Sequence, residues 1–241
     1  MSTIDRSVVA SLPIFADFSP SDIDDFLREA RPLRFTKDAN VFEQGQEAQG
    51  FYLLLNGRIR AQRLSPTGDQ VVLRFIAPGE MFGVAMAIGY DAYPATAVAI
   101  VDSVALAWPN SAWPRLLARH PNLAVHTMQT LGTRLQESQT RLLEMSTQEV
   151  ERRIAHTLLR LVDQGGREIS EGLLIDFPIS RKDIAQMVGA TLHTVSRVMS
   201  AWESRGLVTS GRRKIVVRDR SKLSSLADRS DHCSTAHDER R

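Results

Sequence analysis

Three features of the sequence predict an α+β fold of two units joined by a long helix. Turn dipeptides recur at short intervals between residues 32 and 109. A heptad of apolar residues follows residue 121. Two capped helical segments with a basic hairpin after them lie beyond residue 179. At 241 residues, 43% of them apolar, the chain is long enough for about two domains, each with its own core.

Between Pro32 and Pro109, β-branched and aliphatic runs are separated by Asn56-Gly57, Pro66-Thr67-Gly68, Pro78-Gly79 and Gly89-Tyr90-Asp91. Close-spaced strands of this kind build an antiparallel barrel or sandwich. Residues 51–63 read as a hairpin, with Asn56 and Gly57 at the two positive-φ positions of a type I′ turn and Ile59 and Ala61 alternating with arginines. Ser19, with Pro20 at the first helical position, caps a short helix that buries Ile23, Phe26 and Leu27. The run Val84-Ala85-Met86-Ala87-Ile88 is apolar enough to be plain core or to line a small-ligand pocket.

After Pro121 the period becomes helical. Ala124, Met128, Leu131, Leu135, Ser138, Leu142 and Met145 alternate at four and three residues, which is a heptad seam flanked by polar side chains. A narrow stripe of that length finds no partner along a single barrel, so a second copy is expected to cover it. Met128, Leu131, Leu135, Ser138 and Leu142 are the predicted dimerisation residues. Ser146 and Glu149 have the spacing of a capping box, and a new helix carrying Val150, Ile154, Leu158, Leu161 and Val162 inward is expected to start there and end at Gly165-Gly166.

Ser180 to Gly189 reads as a two-turn helix, capped by Ser180, supported by Asp183 and closed by Gly189. Thr191 caps a second helix whose inward face is Val195, Val198, Met199 and Trp202. Leu192, His193, Ser196 and Arg197 are left together on the outer face. A helix entering a major groove presents hydrogen-bonding side chains from its first turns, and Arg197 is the donor type that pairs with guanine O6 and N7. Leu207-Val208 and residues 214–217 pair across Ser210-Gly211-Arg212-Arg213 as a wing whose cations reach phosphates. The candidate DNA-binding residues are Ser180, Thr191, Leu192, His193, Thr194, Ser196, Arg197, Arg212, Arg213 and Lys214. Charge agrees: residues 1–145 hold 13 Lys/Arg against 15 Asp/Glu, whereas residues 176–222 hold 10 against 4. Double-stranded DNA is the expected partner.

Other classes are disfavoured. The single cysteine, Cys233, lies in a polar stretch and excludes a disulfide framework or a thiolate metal site, and no metal ligand set is expected. No nucleophile triad, phosphate-cradling glycine loop or metal spacing points to an enzyme. The polar start and the absence of a long apolar run predict a cytoplasmic chain without membrane association. Residues 223–241, rich in serine and charge, read as a disordered tail. The expected domains are therefore residues 1–121, a helix at 122–145, a winged helix-turn-helix at 146–222, and the tail.

Over residues 12–220 the chain resembles the catabolite-activator/fumarate-nitrate-reductase regulator family. The matching residues are Glu43-Gln44-Gly45, Phe51-Tyr52 and Gly57, then Pro78-Gly79-Glu80-Met81-Phe82-Gly83, then Arg134-Leu135, and finally Ile184 to Gly189 with Thr194-Val195-Ser196-Arg197. The resemblance implies a cyclic-nucleotide-binding-type β-roll, a homodimer on a near-palindromic operator and, commonly, activation of RNA polymerase. It also implies an effector pocket at Gly79, Glu80, Phe82, Gly83, Val84, Ala85, Tyr93 and Thr96.

Family members that bind cyclic nucleotides carry a Glu after the loop's Phe-Gly and an Arg-Ser or Arg-Thr pair on the next strand. Here Val84, Tyr93 and Pro94 stand there, so a buried cyclic phosphate lacks its guanidinium and cyclic AMP is disfavoured. The iron–sulfur mode of the family needs four cysteines. Residues 93–99 and 191–197 resemble the nitrogen-oxide-responsive branch, which implies a response to nitric oxide through heme, with His120 and His126 as the candidate axial ligands. A regulator with another small effector, or a constitutive repressor whose roll binds nothing, is the alternative. His193 occupies a position where many members have a Glu that accepts from cytosine, so the half-site is expected to lose cytosine preference at one position.

Overall fold

The computed structural model describes residues 6–228. The chain divides into two compact units, Met1–Leu142 and Leu143–Arg241. In the first, α1 (Arg6–Ala10) and α2 (Pro20–Arg28) precede β1 (Arg31–Phe35), β2 (Asn40–Phe42), β3 (Gly50–Asn56), β4 (Ile59–Leu64), β5 (Gln70–Ile76), β6 (Met81–Phe82), β7 (Thr96–Ala99) and β8 (Ser103–Pro109). Helices α3 (Trp113–Arg119) and α4 (Pro121–Thr147) follow, and α4 runs across the division. The strands form two antiparallel sheets, ordered β1-β8-β3-β6 and β2-β7-β4-β5.

Side-chain alternation divides the core in two. Phe51, Leu53, Leu106 and Trp108 turn to a cluster with Phe15, Ile23, Phe26, Leu116 and Leu123 from the helices. Leu54 and Ala105, on the opposite face, join Phe42, Ile59, Ala97 and Ala99 of the second sheet. Burial of each large side chain among these is worth about 1.5–3 kcal/mol. The Trp108 indole completes the first cluster by donating to the Phe26 carbonyl at 2.9 Å. Ser19 caps α2 as expected, within a full capping box to Asp22.

The expected hairpin at residues 51–63 is not formed. Strand β3 pairs with β6 and β8, and β4 pairs with β5 and β7, so Asn56-Gly57 carries the chain from one sheet to the other. Gly57 has φ +97°, whereas Asn56 is not among the positive-φ residues, which rules out a type I′ turn. Strand β8 dictates the glycine: a Cβ at Gly57 would sit 2.2 Å from Ser103 Oγ and 2.7 Å from Ser103 Cα. The hairpin that does form joins β4 to β5 through residues 65–69, closed by Ser65 N–H to Asp69 carbonyl at 2.9 Å.

In the second unit α5 (Val150–Gly165) is followed by β9 (Gly166–Ile169), β10 (Gly172–Ile175), α6 (Arg181–Val188), α7 (Leu192–Ser204), β11 (Val208–Gly211), β12 (Lys214–Val217) and α8 (Arg220–Ala227). The sheet order is β11-β12-β10-β9, so the wing hairpin is extended by a second hairpin not foreseen in the sequence. Ile154, Leu158, Leu161, Ile184, Val195, Met199 and Trp202 are buried. The Trp202 indole donates to Glu151 at 2.8 Å, joining α7 to α5.

Two boundary expectations are corrected. Ser146 lies within the last turn of α4, and α5 begins after Glu149 with no side-chain cap. The junction is held instead by Glu144, buried and paired bidentately with Arg160 at 2.6 and 3.0 Å. Residues 223–228 are not a disordered tail. Asp219 caps α8 by accepting from the Lys222 amide at 2.9 Å, Leu223 and Ala227 are buried, and Arg152 donates to the Ala227 carbonyl at 3.1 Å. The rest of the expected tail, with Cys233, lies outside the described residues. Among the described residues no helix is long and apolar enough to cross a membrane.

Gly57→Ala is expected to lower stability by on the order of 3 kcal/mol, combining backbone strain with a clash against β8. Gly68→Ala, with φ +87° but open space around its Cβ, should lose only about 1 kcal/mol. Urea unfolding of both variants checks the difference.

Candidate DNA interface and effector pocket

The helix-turn-helix is built by two caps. Ser180 accepts from the Asp183 amide at 3.1 Å and Asp183 accepts in return from the Ser180 amide at 2.8 Å. Gly189 closes α6 in the left-handed region, and Thr191 caps α7 by accepting from the Thr194 amide at 3.1 Å. With Val195, Met199 and Trp202 buried, α7 turns Leu192, His193 and Arg197 to solvent and leaves Thr194 and Ser196 half-buried. Ser180 and Thr191 use their side chains as caps, so their part at this face is to fix the helix ends.

The wing turn is the two residues Arg212-Arg213, bounded by the Gly211–Lys214 pair. Arg212 and Lys214 are exposed. Arg213 is half-buried in the left-handed region at φ +59°, and its carbonyl accepts from the Ile179 amide at 3.3 Å. The face thus places the outward side of α7 and a cationic turn on one unit.

Sequence reading missed a polar cluster behind this face. Arg181, the first residue of α6, donates to Glu203 Oε2 on α7 at 2.9 Å and to Ser210 Oγ on β11 at 2.7 Å. Glu203 Oε1 accepts from the Ser210 amide at 2.8 Å and from its hydroxyl. Burial pushes the Glu203 carboxyl up, but the Ser210 and Arg181 hydrogen bonds outweigh it and hold the group below the usual value.

In the first unit the eight expected effector residues separate. Phe82, Ala85 and Tyr93 are core. Tyr93 stacks on Phe42 at 3.8 Å, Phe42 on Tyr52 at 5.6 Å and Tyr52 on Phe82 at 5.2 Å, which fills the space between the sheets beneath Gly83. The Tyr93 hydroxyl donates to the Gly50 carbonyl at 2.7 Å. Thr96 belongs to a separate shallow groove along β2, β4 and β7, where it accepts from the Gln44 amide at 3.0 Å. Gly79, Glu80 and Val84 line a pocket of about 200 Å³ with Pro13, Ile14 and Met81, and with His126, Thr127, Thr130, Leu131 and Arg134 of α4.

Arg134 brings to this pocket a guanidinium from α4 that was not among the expected effector residues. It donates to the Met81 carbonyl at 2.8 Å and lies 4.0 Å from Glu80, which is itself paired with Arg74. Its Nε is buried without a hydrogen-bond partner. Burial first, and the neighbouring Arg74 second, pull its pKa down to about 10. Leu131, expected in the dimer seam, is half-buried and lines this pocket. The wet stripe of α4 is Met128, Leu135 and Leu142, at 65, 61 and 65% exposure, with Val125 and Ser138 also exposed.

His120 is buried, stacked on Phe18 at 5.0 Å and held between Asp22 at 3.7 Å and Asp25 at 3.6 Å. His126 lines the pocket, 3.3 Å from Asp17.

Residues 32–120 match the cyclic nucleotide-binding domain, and residues 152–226 match the Crp-like helix-turn-helix domain. The chain is 29% identical to the cyclic AMP receptor protein of Thermus thermophilus over 215 residues, covering 89% of this chain and 96% of that one. The structure of FixK2 from Bradyrhizobium japonicum has the same fold, with a TM-score of 0.73 at 24% identity over 83% of this chain and 98% of that one. The Thermus thermophilus catabolite activator protein is 30% identical, covering 89% of this chain and 98% of that one, with a TM-score of 0.51. The two domains in this order, the winged reading head and the full-length match together mean that the chain belongs to the CRP/FNR family of DNA-binding transcription regulators.

Proposed function

We propose that this regulator acts as a homodimer on a near-palindromic operator, and that a compact polar molecule bound between residues 79–84 and α4 alters its operator affinity. The exposed stripe of Met128, Leu135 and Leu142 carries the dimer reading, because each side chain forgoes roughly 1.5–3 kcal/mol of burial until a second copy covers it. A two-fold pair presents two recognition helices about one turn of DNA apart, roughly 34 Å, which is the geometry of a palindrome. Activation through RNA polymerase is the mode that the family resemblance implies, and we adopt it.

The pocket supports a small effector. At about 200 Å³ it is smaller than the roughly 300–1,000 Å³ typical of ligand pockets, while Arg134 offers a cation whose Nε is unpaired. The resemblance of residues 93–99 and 191–197 to the nitrogen-oxide-responsive branch makes nitric oxide, nitrite and nitrate the effectors of this reading. A ligand seated there touches α4, the helix that pairs, so differential contact with two arrangements of the pair is the means by which it acts.

Fluorescence anisotropy on operator DNA, without oxygen, compares the protein alone with nitrite, nitrate, nitric oxide, cyclic AMP, and heme plus nitric oxide. Tightening of at least about fivefold by a nitrogen oxide without heme is expected. Equal affinity in every arm would leave a constitutive regulator, and a response confined to heme or cyclic AMP would overturn the small-effector reading. Arg197→Ala should lose about 1–3 kcal/mol and relax preference at one base pair, whereas Arg212→Ala should weaken all sequences alike. Competition with single-base operator variants separates the two. Leu135→Glu should shift the protein to monomer in sedimentation and weaken operator binding at least tenfold, on the order of the 1.4 kcal/mol that separates decades of affinity.

A further inference from the structure

A cation in the first turn of a helix faces the positive end of the helix dipole, so Arg181 at the start of α6 needs compensation. An arginine at this edge of a DNA-reading unit is free in principle to take a phosphate. Here its fork is turned inward: Nη2 donates to Glu203 at 2.9 Å and to Ser210 Oγ at 2.7 Å, Nε to Ser210 Oγ at 3.2 Å, and Nη1 to Ser200 Oγ at 3.2 Å and the Ser196 carbonyl at 3.5 Å. Glu203 completes the arrangement from α7 by accepting from both the amide and the hydroxyl of Ser210. One ion pair therefore joins three elements, α6, α7 and β11.

Ser210 is two residues before Arg212, and β11 pairs only with β12, so the side of the wing facing α7 is tied there through Ser210. The other tie on the turn is the Ile179 amide to the Arg213 carbonyl at 3.3 Å. Hydrogen bonds to ionised groups are about twice as strong as neutral ones and directional, which is what fixing a hairpin angle requires.

We propose that Glu203 and Ser210, bridged by Arg181, are positioning residues that set the angle of the Arg212–Lys214 turn against the recognition helix. The proposal rests on the DNA-reading assignment of this face. Specificity would then come from α7 and the non-specific share of affinity from a wing whose reach is set by the clasp.

The test is the salt dependence of operator affinity for the full-length protein and for Glu203→Gln, Ser210→Ala, Arg212→Ala and the double variant of Glu203→Gln with Arg212→Ala. Each phosphate contact contributes about 0.9 to the slope of log affinity against log salt. Glu203→Gln and Ser210→Ala are expected to lower the slope by one to two contacts' worth and weaken binding about tenfold, with base preference at the Arg197 position unchanged. Adding Arg212→Ala to Glu203→Gln should then change the slope little, although Arg212→Ala alone lowers it by about 0.9 per protomer. An unchanged or steeper slope in both clasp variants, or an undiminished effect of Arg212→Ala in the double variant, would overturn the proposal. Thermal unfolding identifies a variant that fails to fold, in which case Ser210→Ala, the smaller change, decides. If the unaltered protein shows no preference for operator over random DNA, the DNA-reading assignment fails and not the clasp alone.

Discussion

A single helix with two sides to satisfy governs the first unit. One side of α4 is fastened to the roll: Arg134 donates to the Met81 carbonyl, Arg141 donates to the Leu73 carbonyl, and Leu123 is buried beneath α2 and α3. The neighbouring side carries Met128, Leu135 and Leu142 into water. Because both duties fall on one helix, the floor of the pocket and the unsatisfied stripe belong to the same element. A displacement at Arg134 of even a fraction of a turn is a displacement of Leu135, its neighbour in sequence and on the adjacent face.

The second unit solves a different problem, that of burying carboxylates beside partners that satisfy them. Asp183, almost fully buried, is satisfied by the Ser180 amide and hydroxyl, and the Glu144 carboxylate by a bidentate arginine. The apolar face of α7 is deep in the core, which leaves its outer face unencumbered by structural duties. His193 and Arg197 have no role in holding the fold, and that is the condition under which a helix face can be specialised for reading bases.

Local chemistry made much of this legible in the sequence. Ser19, Ser180 and Thr191 announce their helices because capping depends on residues three positions away, and Gly189 marks a stop for the same local reason. The helix α8 also had a local signal, Asp219 before Leu223 and Ala227, masked by the serine-rich composition around it. What the sequence did not reveal is non-local. Asn56-Gly57 has the composition of a hairpin turn, but Ser103, far along the chain, decides that the strand changes sheets. Tyr93, expected to line the pocket, is packed against Phe42, and Arg134, not among the expected pocket residues, lines it. The Arg181, Glu203 and Ser210 cluster draws on three elements, so no spacing rule could find it.

The change of sheet at Gly57 makes the closure of the roll non-local. Because β3 cannot pair with its sequence neighbour, the roll closes by joining residue 31 to residue 107 and residue 40 to residue 98. The wing joins residue 208 to residue 217 and the second hairpin residue 172 to residue 169. Loop closure over long separations slows folding far more than closure over short ones. The first unit must wait for β8 before its first sheet can close, and the second waits likewise for β12 and α8, which bring residue 217 to residue 173 and residue 227 to residue 152.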